Sequence, residues 1–392
     1  MSNDFINLKY IQPEVYYNQL IKEGPHKNFE IWEFTNEISP IDLYCYLNAK
    51  FGPPNGLLTL LKKNTSDNLI HWDWVLISDI GHISIQGHNF RTEIFVSREF
   101  IKKGLTKNDF ILQIKSDFKN YGRKMSEIKS ELEKWTEFIN PFVRLQDTIR
   151  LLFGKLEELN IDPEKDKISN PFHYSENIDE VKKVWSERSE RYMLATGLVY
   201  GLRSMLPVMA ESFVNLLIFC LCKPEIKSNE RLFTSFLRGQ IDVRIQSLHL
   251  YCDGFKEPID YKSQECKNFH TLINERNDLL HGNINIDKLA FGEVYFKERT
   301  PIFDKYNDYW EKSIGISLES VKYHRIYDDM LIIEKFIDYI SGKLQTNKRN
   351  YLEALMTNLR LGYNSKNGKT SILFPRHLVE IRSKTVLLQN ND

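Results

Sequence analysis

The apolar positions change their rhythm along the chain, and those changes mark its elements. Residues 1–30 are mixed and aromatic without a clear period, so the pattern assigns nothing there. Ser39 before Pro40 predicts a helix to about Lys50, because serine suits an N-cap and proline the first turn; FGPPNG (51–56) ends it. From about residue 68 apolar and polar residues alternate. HWDWVLIS (71–78) and HISIQGHNFRTEIFVS (82–97) therefore predict two or three antiparallel strands, joined at Asp79 to Gly81 and bent at Gly87. Thr106 with Asp109 has the capping-box spacing and opens a helix to about 138; Asn140-Pro141 restarts it to about Leu159.

The stretch 160–177 is polar, carries two prolines and lacks an apolar period, which marks a linker. Beyond it the helical period dominates, with helices predicted at 178–201, 207–222, 229–252, 262–281 and 317–344, broken at Pro207, Lys223-Pro224, Asp253-Gly254 and Gly282. The expected fold class is an α+β N-terminal domain, a small antiparallel sheet flanked by helices, followed by an all-α helical bundle. The expected division is 1–165 as an accessory domain, 166–177 as linker, 178–345 as bundle and 346–392 as a C-terminal extension. Between 284 and 316 the pattern loosens into a short hairpin; the tail reads as a helix near 349–361, a loop and the apolar run SILFPRHLVEI.

Charge removes one class of argument. Lys plus Arg equal Asp plus Glu at 53 each, so binding to RNA would have to rest on local positive charge. Five cysteines, odd in number and without CxxC spacing, predict reduced core thiols in a cytoplasmic protein. The segment MSNDFINLKY lacks the basic and apolar regions of a leader, and the apolar run 205–222 is interrupted by Pro207, Glu211 and Asn215, which reads as a buried helix rather than a membrane span.

Candidate chemistry concentrates in KNFHTLINERNDLLHGN (267–283). Phe269, Leu272, Ile273, Leu279 and Leu280 recur at helical spacing and form one buried stripe. Arg276 falls in the middle of that stripe, where a guanidinium is costly unless it is paired or used. His281 stands immediately before Gly282, the usual residue for a left-handed helix end. The Arg-x4-His spacing also occurs at Arg244 and His249, about as often as chance supplies, so spacing alone decides nothing. Arg244 reads as an ordinary helix-surface residue, because its helix continues past His249. Five residues turn a helix by about 140°, so Arg276 and His281 converge only where the helix unwinds at Gly282 or across a two-fold axis joining two copies.

An imidazole is suited to general acid or base work and an arginine to binding a phosphate and its transition-state charge. No carboxylate cluster with metal spacing, Walker loop or GxSxG occurs, and these groups fit RNA cleavage by the ribose 2′-hydroxyl. Glu211 and Asn215 share a face of an otherwise apolar helix, so Glu211 needs a partner: either Arg276, which it would then orient, or another arginine or solvent. His71, Asp73, His82 and His88 gather near the first strands; polar side chains on the wet face of a half-buried sheet explain them without a metal.

ERNDLLHGN on the fourth helix of a helical bundle resembles the HEPN family (higher eukaryote and prokaryote nucleotide-binding), over roughly 195–345. The text LRGQIDVRIQSLHLYCDGFKEPID also looks like bacterial HEPN proteins, whereas 1–165 resembles no family. The resemblance implies a dimeric, metal-independent endoribonuclease acting on RNA, of the kind used as toxin or abortive-infection effector in anti-phage defence. It needs no cofactor and no membrane, with Arg276 and His281 in catalysis and Asn277 positioning the strand or the motif. The alternative expectation is a non-catalytic HEPN module that binds a nucleotide or a protein.

Overall fold

In a computed structural model, residues 8–11, 29–55, 58–59, 69–168, 178–284, 286–306 and 308–374 are described. The chain is mixed α+β and clusters into two compact units, Met1–Thr136 with Asn364–Gly368 and Ile372–Asp392, and Glu137–Tyr363 with Lys369–Ser371.

The first unit holds a five-stranded antiparallel sheet of β1 (Lys9–Ile11), β2 (Phe29–Phe34), β3 (Trp72–Ile77), β4 (His82–Gly87) and β5 (Thr92–Ser97), in the order β1-β3-β4-β5-β2. Alternation places Trp74, Ile85, Ile94 and Trp32 opposite one another across four strands, and this row is buried. Helices α1 (Pro40–Phe51) and α2 (Lys107–Glu131) supply Tyr46, Leu47, Phe110 and Ile114 to the same core. Ser39 starts α1 without a side-chain cap, whereas Thr106 and Asp109 form the expected capping box of α2. Gly87 ends β4 and makes room: a Cβ there would sit 2.2 Å from the Trp72 indole, so only glycine lets that ring lie across the strand. The strands β1 and β2 were illegible in sequence, because a three-residue strand is too short to show a period and in β2 the exposed Ile31 puts an apolar residue on the face opposite buried Trp32 and Phe34.

The side chains of His71, Asp73, His82 and His88 each have their own surroundings. His71 pairs its Nε2 with Asn89 at 2.6 Å, and Asp73 is buried, not on a wet face, accepting from Asn55 Nδ2 at 3.0 Å. Burial pushes the Asp73 carboxyl above its ordinary range, against the Asn55 bond. His82 lies 3.1 Å from Ser97 Oγ and His88 3.6 Å from Glu93; among the described residues no group of three or more His, Cys, Asp or Glu converges.

The second unit begins at residue 137, not after 165. Strand β6 (Thr136–Ile139) runs into α3 (Pro141–Glu158), whose Phe142 meets Phe213 edge-on, so α3 packs in the helical unit. Buried Asn140 accepts from Phe142 N and donates to the Leu355 and Asn358 carbonyls, which fixes the entry to α3. Helix α4 (Ile178–Leu221) is continuous for 44 residues and passes through Pro207. The expected break is overridden because the turns flanking Pro207 bury Leu202, Leu206, Met209 and Ala210, a gain that exceeds the ~3 kcal/mol a mid-helix proline costs. An 18-residue window of α4 is apolar enough to cross a membrane, and 56% of it is buried inside the fold.

The predicted 229–252 helix is two, α5 (Glu230–Arg238) and α6 (Ile241–Tyr251), parted at Gly239-Gln240. Helix α7 (Gln264–His281) follows, then the hairpin β7 (Val294–Lys297) and β8 (Thr300–Phe303), α8 (Ile326–Gly342) and α9 (Thr346–Leu355). Strands β9 (Arg360–Asn364) and β10 (Lys369–Ser371) join β6 in the order β10-β9-β6; from residue 375 the apolar run SILFPRHLVEI lies outside the described residues, as does 169–177 of the expected linker. All five cysteines are free thiols, and four of them are buried.

Candidate active site

Helix α7 buries Cys266, Phe269, Leu272 and Ile273 against its neighbours, and Phe269 stacks on Phe336 of α8 at 4.0 Å between ring centres. The stripe stops short of the helix end: Leu279 is half-buried and Leu280 is 45% exposed, not buried as its spacing suggested. The last turn therefore projects beyond the packed part of the bundle.

Arg276 sits at that transition, half-buried, and its Nη2 donates to Glu211 Oε1 of α4 at 2.8 Å. The pair expected from the two misplaced charges is present. Glu211 also faces Arg244, whose Nη2 lies 3.5 Å from Oε2 and whose Nη1 donates to Asn215 Oδ1 at 2.7 Å. Arg244 is thus not a surface residue; it is 6% exposed. The break at Gly239 resets the phase of α6 and turns Arg244 inward, which a single helix over 229–252 would not have done. Burial pulls the Arg244 pKa down and the Glu211 charge opposes that shift, so the carboxylate is what makes a buried guanidinium tolerable.

One carboxylate shared by two guanidiniums leaves an excess positive charge. The Nε atoms of both Arg244 and Arg276 are buried without a hydrogen-bond partner. Each keeps an N–H able to meet an acceptor.

Beside this cluster lies a second one that the sequence reading did not include. Arg203 of α4 pairs with Glu275, donates Nε to Asp329 Oδ2 of α8 at 2.7 Å and reaches the Val321 carbonyl at 3.2 Å. Glu275 also receives Lys322 at 3.0 Å and Arg325 at 2.9 Å. Burial pushes the Glu275 carboxyl up, but the Lys322 hydrogen bond and the charges of Lys322, Arg203 and Arg325 outweigh it, so its pKa is lowered. Arg203 carries the same signal as Arg276, an arginine within an apolar helical run, and the same rule applied to it would have found this cluster.

His281 is the last residue of α7 and is exposed. Gly282 adopts φ 60° and returns its N–H to the Asp278 carbonyl, the left-handed ending expected from the His-Gly pair. Because α7 stays regular through His281, the unwinding that would let His281 fold back onto Arg276 does not occur. Asn277 is half-buried on the same turn as Arg276.

The arrangement offers a guanidinium fixed by a carboxylate, a group chemically able to bind a phosphate, and an exposed imidazole. No family model, no curated protein and no solved structure matches the chain.

Proposed function

We propose that the protein is a metal-independent endoribonuclease of the HEPN type, working as a homodimer with Arg276, Asn277 and His281 in its active site. The observation that carries this reading is the Glu211 to Arg276 pair at 2.8 Å, which holds the motif arginine in place five residues before the exposed terminal histidine.

In the reaction, the ribose 2′-oxygen bonds to the adjacent phosphorus while the bond to the 5′-oxygen breaks, leaving a 2′,3′-cyclic phosphate and a 5′-hydroxyl. His281 takes the 2′-hydroxyl proton or supplies one to the leaving 5′-oxygen. Arg276 binds the phosphate and stabilises the charge that gathers on its oxygens, held in register by Glu211. Asn277 positions the strand or the motif. In one chain Arg276 and His281 point about 140° apart on a regular helix, so both meet one phosphate only when a second α7 is brought alongside. The exposed apolar side chains at the end of α7 and just after it, Leu280 at 45% and Ile284 at 83% exposure, support a second copy packing there. Such an enzyme suits a cytoplasmic toxin or abortive-infection effector in anti-phage defence, with the first unit as its sensor or partner-binding part.

The test is cleavage of RNA in EDTA by the purified chain, with cyclic-phosphate ends on the products. His281→Ala should abolish cleavage with a melting temperature within a few degrees of wild type, and sedimentation should give a dimer. The second reading, a non-catalytic HEPN module for a nucleotide or a protein, draws on the same divergence of Arg276 and His281; no cleavage of any RNA by a dimeric protein would establish it in place of the first.

A further inference from the structure

Strands β7 and β8 form a sheet of their own among the described residues, and every residue of both is exposed. A lone hairpin of this kind is marginal in water, so it gains from a further strand. Its register decides which edge can take one. Glu298 adopts the positive φ (58°) that a two-residue turn needs; Lys297 lies opposite Thr300, Phe296 opposite Pro301, Tyr295 opposite Ile302 and Val294 opposite Phe303. At the open end Asp304 N donates to the Glu293 carbonyl at 3.4 Å. Hydrogen-bonded and non-hydrogen-bonded pairs alternate along an antiparallel ladder, so Tyr295 and Lys297 use their backbone groups on β8, whereas Val294 and Phe296 turn theirs outward. On β8 the outward positions are Pro301, which has no N–H to offer, and Phe303, whose ring lies under Lys312 Nζ at 4.4 Å. The open edge is β7.

We propose that this edge pairs with β7 of a second copy, antiparallel about a two-fold axis at Tyr295, so that two hairpins form one four-stranded sheet. The strand is complementary to itself in this register. Val294 of each copy faces Phe296 of the other, and their outward N–H and C=O groups meet in a hydrogen-bonded pair on each side of the axis. Glu293 faces Lys297, an opposite-charge pair made twice, and Tyr295 faces its own copy. The Tyr295 hydroxyl donates to Glu293 Oε2 at 2.9 Å, so these two share a face with Lys297. The charge pairs and the tyrosines therefore line one side of the sheet, and Val294 with Phe296 the other. Centring the pair on Val294 or Phe296 keeps the ladder but sets Tyr295 opposite Glu293 or Lys297 and loses the charge pairs.

The strand contact alone is short of the ~1,000 Å² that a stable interface buries. The segment leading into β7 adds apolar surface, with Ile284, Ile286, Leu289 and Phe291 each more than half exposed. For its bearing on cleavage the inference rests on the homodimer of the endoribonuclease reading: it names where two copies join, in the segment that follows the end of α7 and His281.

Sedimentation of the full-length protein over a range of concentrations tests the pairing, beside an RNA-cleavage assay in EDTA. Wild type should be dimeric where Glu293→Lys, Lys297→Glu and Phe296→Pro are each monomeric, with self-association weakened at least tenfold. The first two set like charges opposite each other; the third removes an outward N–H without touching the bonds to β8. An equimolar mixture of the Glu293→Lys and Lys297→Glu chains should regain the dimer, because opposing positions again carry opposite charges, and that recovery shows both chains folded. A monomeric wild type, variants as dimeric as wild type, or a mixture that stays monomeric overturns the proposal. Variants that stay dimeric and cut RNA keep the endoribonuclease reading and remove this interface; a dimer restored in the mixture that cuts no RNA keeps the interface and removes that reading.

Discussion

Glu275 and Arg276 are neighbours in sequence, yet they enter two charge clusters of different character. Around Glu275, the cations Arg203, Lys322 and Arg325 meet Glu275 and Asp329, and Arg203 uses its Nε, Nη1 and Nη2 on Asp329, Val321 and Glu275. Around Arg276, two guanidiniums share the one carboxylate of Glu211 and both Nε atoms are left without a partner. The two clusters border one narrow crevice of about 10 Å³, lined by Arg203, Pro207, Glu275, Arg276 and Asp329, with room for no more than one water. The Glu275 cluster ties α4, α7 and α8 together and leaves one acceptor, Asp329 Oδ1, without a hydrogen bond, with Arg325 3.4 Å away; the Glu211 cluster has fewer acceptors than donors and leaves two buried N–H groups unpaired.

The comparison is broken most severely by removing the centre of the Glu275 cluster. Arg203→Ala leaves Asp329 buried with only Arg325 at 3.4 Å and should cost about 3–5 kcal/mol, read as a fall of the melting temperature on the order of 10 °C. Glu211→Gln tests the Glu211 cluster. It should cost less, about 1–3 kcal/mol, because Arg276 is only half-buried and the buried Arg244 keeps its bond to Asn215, and on the proposed function it should remove RNA cleavage by releasing Arg276. Thermal denaturation beside a cleavage assay checks both halves; a mutant that keeps full activity would show that Glu211 does not position Arg276.

Acid sharpens the contrast. Glu275 has a folded pKa below its usual 4.5, so its pairing contributes stability that is present above that value and is lost as pH falls through the depressed folded pKa. Melting temperatures measured downward from pH 6 should fall more steeply below about 4.5 for wild type than for Glu275→Gln, which begins lower and changes less. The smallest effect is expected at the end of α7. Gly282→Ala meets nothing within 4 Å, so it adds only the strain of a left-handed residue, about 1 kcal/mol. Hydrogen exchange of the last turn should quicken while the rest of the bundle is unchanged.

Sequence periodicity by itself determined the kind of each well-patterned element. The alternating strands of 71–97, the capped start of α2, the restart at Asn140-Pro141, and α7 with its His-Gly ending were legible because each follows from neighbours within one or two turns. The Glu211 to Arg276 pair was legible too, since two opposite charges on apolar faces need each other. Tertiary packing decided the rest. Pro207 continued its helix because flanking burial outweighed a local penalty, α3 joined the helical unit through its contact with α4, and Arg244 turned inward only after Gly239 reset the helix phase. How many cations each carboxylate meets depends on what three helices bring to one point. No local pattern encodes that, because charges far apart in sequence are summed only when the chain folds.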